Sequence, residues 1–241
     1  MKILSLDSTA IVSTVAICEN ERLLAQFTIN NGNTHSETLL PMIEASLKVL
    51  KLTVDDIDLF ACSAGPGSFT GVRIGASTVK GLAFNKNKPC APVSSLDALA
   101  HNLHYADGIV CPVMNARRGQ LYNALFLCEN GKLTRLCEDR ALMIDDVLKD
   151  LAEIHVKSPE TPIYAVGDGA ELFVRSTEGK GVPVKLPPEH LKLQRASSVC
   201  FAAENRAAAG DTVDPDKLLP VYLRLPQAER ELKKKQEAAK Q

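Results

Sequence analysis

The feature that most constrains the fold is an order of strands and helices that occurs twice along the chain. In the first half, short apolar runs between polar turns predict strands at residues 3–6, 12–18, 23–29, 59–62 and 89–93. Apolar residues at helical spacing predict helices at residues 36–50, 71–84 and 94–104. Together these elements form a βββαβαβα unit.

The second half repeats this order, although its residues hardly match those of the first half. Strands are predicted at residues 109–114, 121–127, 133–136, 163–166 and, weakly, 182–184. Helices are predicted at residues 144–154, directly after 169, and at 196–209. The repeat distance is about 105 residues, which predicts an α/β fold of two lobes with a reduced second lobe.

The predicted lobe boundaries follow from this order. Residues 1–104 form the first lobe, and residues 105–205 form the second, smaller lobe. Residues 206–225 contain an apolar stretch that is expected to dock back on the first lobe. Residues 226–241 are charged and rich in alanine, which predicts a frayed or disordered tail.

Charge and composition exclude several classes of protein. The chain of 241 residues has a formal net charge of −1, so no overall field attracts nucleic acid or an anionic membrane. It begins with a strand rather than a signal peptide, and no apolar run approaches membrane-spanning length, so we expect a cytoplasmic protein. Its seven cysteines form no C-x-x-C pair and are predicted to be buried, reduced thiols.

A glycine-rich run, the glycine loop, links a predicted strand to a predicted helix at residues 65–75, which read GPGSFTGVRIG. Glycines and hydroxyls at a helix N-terminus present free backbone N–H groups, and phosphate sites are built in this way. The alternative is that the glycines only let the helix pack closely on the sheet, since a Walker-type lysine is missing. Helix capping explains Ser68 and Thr70, because no histidine stands beside them in a nucleophile elbow.

The duplication also places loops opposite one another. Residues 7–9 correspond to residues 115–119, and the start of the glycine loop corresponds to residues 167–169. Ligands of open sheets bind at such strand ends, so the four loops are expected to converge on a cleft between the lobes.

Single residues in these loops leave two interpretations open. Asp7 either positions a metal-bound water or stabilises its own turn. Arg117 and Arg118 either bind a phosphate or carboxylate of a partner or lie on a solvated turn. Together with Arg73 they are the candidate contacts to an anion or a partner.

The predicted helix at residues 36–50 has more apolar surface than one core requires. A helix that faces a single core needs an apolar arc of roughly 100°, whereas only a narrow stripe is polar here. The helix at residues 71–84 also has a second stripe of small and apolar residues. Either a partner chain or the second lobe covers these faces. The predicted partner interface consists of Leu39, Met42, Ile43, Ala45, Ser46, Val49, Ile74, Ser77, Gly81 and Phe84.

Several segments carry a resemblance to a known family. They are LDST at residues 6–9, THSETLLP at 34–41, the glycine loop, NARRGQLY at 115–122 and PVYLR at 220–224. The duplicated unit resembles the superfamily of actin, sugar kinases and Hsp70 ATPase domains. Within it, the segments resemble the bacterial TsaB family, also called YeaZ, and the likeness extends from residue 1 to about residue 225.

The resemblance implies an accessory scaffold subunit in the synthesis of N6-threonylcarbamoyladenosine (t6A) at position 37 of tRNA. In that system TsaD is the catalyst that transfers the threonylcarbamoyl group, and TsaE is an ATPase that joins the complex. The family's partner surface is the pair of first-lobe helices, which implies a heterodimer with TsaD and a homodimer when the protein is alone. The resemblance further implies only indirect contact with tRNA, no membrane, and ATP or ADP and a metal ion on partner subunits or at their interface.

Catalytic residues are not expected in this chain. TsaD-like proteins carry two histidines four residues apart, but Leu39 stands four residues after His35, so no metal site is predicted. The first hairpin also lacks the glycine that lets phosphates approach. The vestigial nucleotide-binding candidates are Asp7, Ser8, Thr9, Gly65, Gly67, Gly167 and Gly169. The alternative functions are a small-molecule kinase or ATPase and, last, a glycoprotease-like metallopeptidase.

Overall fold

The computed structural model describes residues 1–32, 34–84 and 86–224, which form two β-sheets with helices packed on them. The first sheet has the order β3-β2-β1-β4-β5. Its strands are β1 (Lys2–Asp7), β2 (Ser13–Glu19), β3 (Arg22–Ile29), β4 (Leu59–Gly65) and β5 (Cys90–Ser94). The first three strands are antiparallel, whereas β4 runs parallel to β1 and β5 runs parallel to β4. The tail predicted at residues 226–241 lies outside the described residues.

Three helices follow the strands of the first unit as the sequence predicts. They are α1 (His35–Leu50), α2 (Phe69–Phe84) and α3 (Ser95–His101). The Glu37 carboxylate accepts a hydrogen bond from the backbone N–H of Thr34, and Lys51 ends α1 in a left-handed conformation. The Ser94 hydroxyl accepts from two backbone N–H groups in the first turn of α3 and so caps that helix.

The second sheet repeats the topology of the first, with the order β10-β7-β6-β11-β12. Its strands are β6 (Gly108–Asn115), β7 (Gln120–Asn123), β8 (Phe126–Glu129), β9 (Lys132–Arg135), β10 (Arg140–Met143), β11 (Ile163–Val166) and β12 (Val184–Lys185). The helices are α4 (Ile144–Lys157), α5 (Ala170–Thr177), α6 (Glu189–Lys192) and α7 (Ala196–Ala208). The duplicated α/β fold is therefore confirmed.

The single strand predicted at residues 121–127 is wrong, and the strand predicted at residues 133–136 is present as β9 but does not have the expected place in the repeat. Residues 121–127 form two strands rather than one, and the third strand of the repeat is β10 rather than residues 133–136. The cause lies at Pro112 in the middle of β6, which has no N–H to donate to a neighbouring strand. The Asn123 side chain instead donates to the carbonyl oxygens of Pro112 and Ala124, and the chain turns into the additional β8–β9 hairpin.

The helices pack so that both faces of each sheet are covered. α1 and α2 pack on one face of the first sheet, where Leu4, Leu6, Val15 and Ile17 lie in their core. The opposite face, which includes Ile3 and Ala16, packs against α7. α3 packs on the second sheet, and α4 and α5 cover that sheet's other face.

The position of α7 differs from the predicted lobe division, which assigned residues 196–205 to the second lobe. Val199 and Cys200 belong to the core of the first sheet, and the Ser5 hydroxyl donates to the carbonyl oxygen of Ala196. Pattern alone does not distinguish the two arrangements, because both sheets offer an apolar face to an apolar helix. The exact lobe boundaries stay a prediction.

The C-terminal segment, residues 218–224, contacts the first lobe. Leu218 is fully buried in the core beneath α1 and α2. The backbone N–H of Val221 donates to the carbonyl oxygen of Ala64 over 2.7 Å. Across residues 1–32, 34–84 and 86–224, no helix combines the length and apolarity needed to cross a bilayer.

Candidate functional site

Asp7 is fully buried at the end of β1 and stabilises the turn that follows it. Its Oδ1 accepts hydrogen bonds from the backbone N–H and the hydroxyl of Thr9, at 2.8 and 2.7 Å. Its Oδ2 accepts from the Ser63 hydroxyl at 2.5 Å. Burial raises the pKa of this carboxyl above its ordinary value, and the three hydrogen bonds partly offset the rise. These contacts support the interpretation of Asp7 as a turn-stabilising residue.

The glycine loop is filled by the hairpin turn that Asp7 stabilises. The backbone N–H of Ser68 donates to the carbonyl oxygen of Thr9 over 2.7 Å, and the Ser8 hydroxyl donates to the carbonyl oxygen of Gly71 over 2.9 Å. A Cβ on Gly71 would lie 1.9 Å from the Ser8 carbonyl oxygen, and one on Gly67 would lie 2.5 Å from that of Thr9. These glycines therefore permit close packing of backbone on backbone.

The hydroxyls of the glycine loop have structural roles as well. The Ser68 hydroxyl accepts a hydrogen bond from the backbone N–H of Gly71 over 3.3 Å, which is a capping contact at the start of α2. A Cβ on Gly75 would lie 2.8 Å from the hydroxyl oxygen of Ser8. Residues 8–9 thus pack against much of the glycine loop, and the backbone N–H of Ser68 already donates to a carbonyl oxygen of the chain. This arrangement does not fit a phosphate group.

The second lobe contains a matching glycine turn at the end of β11. Gly167 has the same φ of 118° as Gly65, and a Cβ on it would lie 2.3 Å from the carbonyl oxygen of Val113. The backbone N–H of Gly169 donates to that same oxygen over 3.1 Å. Both members of the duplicated pair therefore bring β-strand ends and neighbouring backbone close together.

Asp168 is the acidic residue of this second turn. Burial raises the pKa of Asp168 from 3.8 to about 6, and the negative charge of Asp7 contributes a smaller rise. Its Oδ1 is buried and forms no hydrogen bond with the described part of the chain. The sequence duplication placed residues 167–169 at the predicted cleft. The burial of Asp168 could not be predicted, because it depends on the tertiary packing of the strand ends.

The single histidine that this chain has at the position of the TsaD-like metal motif forms its contacts inside the chain. His35 Nε2 lies 2.9 Å from the carbonyl oxygen of Ala10, and its Nδ1 lies 3.3 Å from the Ser13 hydroxyl. Leu39, at the position of a second histidine, is 1% exposed in the core. Among residues 1–32, 34–84 and 86–224, no three acidic, histidine or cysteine side chains are grouped so that they hold a metal ion.

The predicted partner interface on α1 and α2 divides into a buried and an exposed part. Leu39, Met42, Ile43 and Ser46 are buried within the chain, so their assignment to a partner surface needs correction. The reason is that α1 packs across both β2 and β3, which uses most of its wide apolar arc.

The exposed part, called the α1–α2 surface, contains the remaining predicted residues. Val49 and Phe84 are each 72% exposed. Ser77 and Gly81 are exposed, whereas Ala45 and Ile74 are half-buried. Leu40 is 57% exposed on α1 and was not among the predicted interface residues.

The candidate anion contacts are placed at two points. The Arg73 Nε donates to the Tyr222 hydroxyl over 2.9 Å, and its guanidinium lies 4.0 Å from the ring centroid of Phe69. Arg73 therefore fixes the C-terminal segment, a role that the sequence did not indicate. Arg117 and Arg118 lie on the exposed turn between β6 and β7.

Fold and site together define the class of protein. It is a two-lobed protein with a fold of the actin, sugar-kinase and Hsp70 type, in which the first hairpin of the chain packs into the glycine loop. The sequence model of TsaD, the tRNA N6-adenosine threonylcarbamoyltransferase family, matches residues 22–232. The chain belongs to the TsaB (YeaZ) branch of this family, and the resemblance read from its motifs is confirmed.

Individual relatives and a solved structure support this assignment. The TsaB protein of Bacillus subtilis is 31% identical over 233 residues, covering 95% of this chain and 96% of that protein. The TsaB protein of Haemophilus influenzae is 37% identical over 196 residues, covering 79% and 80%. A Pseudomonas aeruginosa structure, described as similar to peptidase YeaZ, has a TM-score of 0.78 at 26% identity and covers 92% of this chain and 99% of that one.

Proposed function

We propose that this chain is a non-catalytic subunit of tRNA t6A synthesis that binds a TsaD-like catalytic chain through the α1–α2 surface. The relatives that it resembles along almost their whole length are named tRNA threonylcarbamoyladenosine biosynthesis protein TsaB. The family model that it matches is that of the transferase itself. In a two-fold homodimer the same surface patch of both subunits forms the interface, and a chain related to the catalyst offers a similar patch for pairing with it.

The observation that carries the proposal is the composition of the α1–α2 surface. Val49 and Phe84 are large apolar side chains that the chain leaves 72% exposed. Gly81 lies within α2, three residues before its end, where glycine costs about 1 kcal/mol relative to alanine. Apart from its own helix backbone and chain neighbours, no residue that the structure describes lies within 4 Å of its Cβ position. Packing within the chain therefore gives no reason for this glycine, whereas close approach of a partner helix does.

The non-catalytic part of the proposal rests on the two sites already described. The imidazole of His35 contacts Ala10 and Ser13, and Leu39 replaces a second metal-binding histidine. The glycine loop is filled by residues 8–9. Metal and nucleotide chemistry are therefore assigned to partner subunits, including a TsaE-like ATPase, or to their interface with this chain.

The test combines Val49→Asp with Phe84→Asp and measures binding to the TsaD homologue of the same organism. Two buried charges at the centre of an interface should weaken the complex by about 30-fold or more. Because both side chains are exposed, the melting temperature of the isolated variant should stay close to that of the wild type. Val156→Asp is the matched control, since Val156 is 79% exposed on α4 of the other lobe and its replacement should leave binding intact.

Two readouts separate the proposal from its alternatives. Light scattering of the chain alone should show a dimer for the wild type and a monomer for the double variant, if both partners use the α1–α2 surface. A complex that the double variant leaves intact would contradict the proposal. Micromolar binding and turnover of ATP with Mg²⁺ by the isolated chain would favour the kinase or ATPase alternative instead.

A further inference from the structure

The turn between β6 and β7 contains arginine where the backbone favours glycine or asparagine. Arg117, Arg118 and Gly119 have φ values of 62°, 57° and 74°. The backbone N–H of Gln120 donates to the carbonyl oxygen of Arg117, so Arg118 and Gly119 are the central residues of a turn that needs positive φ twice. Side chains with a Cβ are disfavoured in this region, and successive residues rarely adopt it.

The surrounding structure holds the turn in this conformation. The Asn115 side chain accepts a hydrogen bond from the backbone N–H of Arg117 over 2.8 Å. The carbonyl oxygen of Gly119 accepts from the backbone N–H of Ile144, the first residue of α4. The turn is therefore rigid, and the arginines contribute nothing to it that asparagine would not provide at lower cost.

The guanidinium groups themselves are not used for folding. Both arginines are exposed, and neither side chain forms a hydrogen bond or an ion pair with residues 1–32, 34–84 or 86–224. A third guanidinium lies at the same turn, since Arg224 of the C-terminal segment donates to the carbonyl oxygen of Ala116. Three guanidinium groups thus lie on or beside one exposed turn of a chain whose net charge is only −1.

From this placement we infer that the arginine turn, residues 117–119, binds the phosphate backbone of RNA. Guanidinium groups bind phosphate oxygens through paired hydrogen bonds, and arginines on an exposed turn are accessible to the phosphates on the outside of a folded RNA. Two residues before Arg224, the Tyr222 ring contacts that of Phe69 at the start of α2, with ring centroids 4.8 Å apart. The choice of RNA over another phosphate carrier rests on the proposed function in tRNA modification, and direct contact goes beyond the indirect one that the resemblance implies.

The test replaces both arginines in the full-length chain, as Arg117→Asn with Arg118→Asn. Binding of a fluorescently labelled, unmodified tRNA transcript is measured by anisotropy at several salt concentrations. The dissociation constant should rise about tenfold. The slope of the logarithm of the dissociation constant against the logarithm of the salt concentration should fall by about one to two, because each lost arginine removes about one phosphate contact. Because asparagine suits positive φ better, the melting temperature should rise by about 2–4 °C for each strained residue relieved.

Controls separate the arginine turn from general electrostatics. Arg22→Gln with Lys157→Gln removes the same charge from exposed positions on β3 and α4 and should leave RNA affinity within about twofold of the wild type. The inference is overturned if the arginine variant binds tRNA like the wild type, if the control weakens binding equally, or if the arginine variant melts at a lower temperature. It is also overturned if ATP or inorganic phosphate displaces the tRNA when competitor and tRNA are present at the same concentration of phosphate groups. The turn would then bind free phosphate.

The measurement is independent of the proposed subunit pairing. It uses the isolated chain, so loss of binding to the TsaD homologue does not affect its outcome. Conversely, the arginine variant should still bind that homologue, since the α1–α2 surface is unchanged. RNA binding without partner binding, or the reverse, therefore identifies which of the two proposals fails.

Discussion

Gly71 and Gly81 are residues of the same helix that are required for different reasons. A Cβ on Gly71 would lie 1.9 Å from the carbonyl oxygen of Ser8, which belongs to backbone and cannot move aside. A Cβ on Gly81 would lie within 4 Å of no described residue outside its own helix turn. The first glycine is therefore explained within the chain, whereas the second is explained only by a partner. Local sequence does not separate them, because both occur in a helical pattern of small residues.

The two glycines provide a matched pair of substitutions. Gly71→Ala should lower the free energy of unfolding by about 2–3 kcal/mol, because the hairpin turn or α2 must shift. Gly81→Ala should raise it by about 1 kcal/mol through the helix propensity of alanine. Urea denaturation of the isolated variants measures both changes. Equal effects of the two substitutions would show that the hairpin turn does not pack against the glycine loop as described.

At the scale of elements, the C-terminal segment joins parts of the fold that are distant in sequence. Val221 pairs with Ala64 at the end of β4, and its carbonyl oxygen lies where Gly65 has no side chain. The Tyr222 ring stacks near Phe69, and its hydroxyl accepts from Arg73. The segment therefore covers the start of α2 and fixes the strand end from which the glycine loop begins.

Tyr222→Ala should release this segment while the sheet stays folded. Loss of the ring contact and of the hydrogen bond from Arg73 should cost about 1–2 kcal/mol locally. Hydrogen exchange of the Val221 amide should accelerate by about tenfold, since that amide is protected by its bond to Ala64. Tyr105→Ala is the control, because Tyr105 is an exposed tyrosine in the turn that follows α3. Unchanged exchange in the Tyr222 variant would show that the segment is held elsewhere.

At the scale of the whole molecule, the last helix of each unit lies between the two sheets. Asn102, which follows α3, donates to the carbonyl oxygens of Leu191 and Leu193 and accepts from the Ser198 hydroxyl of α7. The lobes are thereby joined by a buried and satisfied polar network. On the cleft side, Asp7 and Asp168 approach closely enough for the charge of one to raise the pKa of the other.

The buried carboxyl of Asp168 predicts a pH dependence of stability. Its pKa in the folded chain is about 6, against 3.8 ordinarily, so the folded state retains a proton that the unfolded state has lost. Stability from this group is therefore fully present below about pH 4 and is lost as the pH rises through 6, by about 2–3 kcal/mol. Asp168→Asn should remove that loss, so its stability relative to the wild type should increase between pH 4 and pH 7 in urea denaturation. A constant difference across this range would contradict the assignment.

The sequence by itself determined the order of elements in the first unit, the duplication and the family, because these depend on local periodicity, turns and short motifs. It also located the residues that meet at the cleft, since equivalent strand ends share one edge of a duplicated fold. Tertiary structure alone decided that α7 packs on the first sheet and that β10 completes the second. It also decided that Met42 is buried while Val49 is exposed, and that residues 8–9 fill the glycine loop. These outcomes depend on which faces and loops pack against each other, and periodicity within one element does not identify its neighbour.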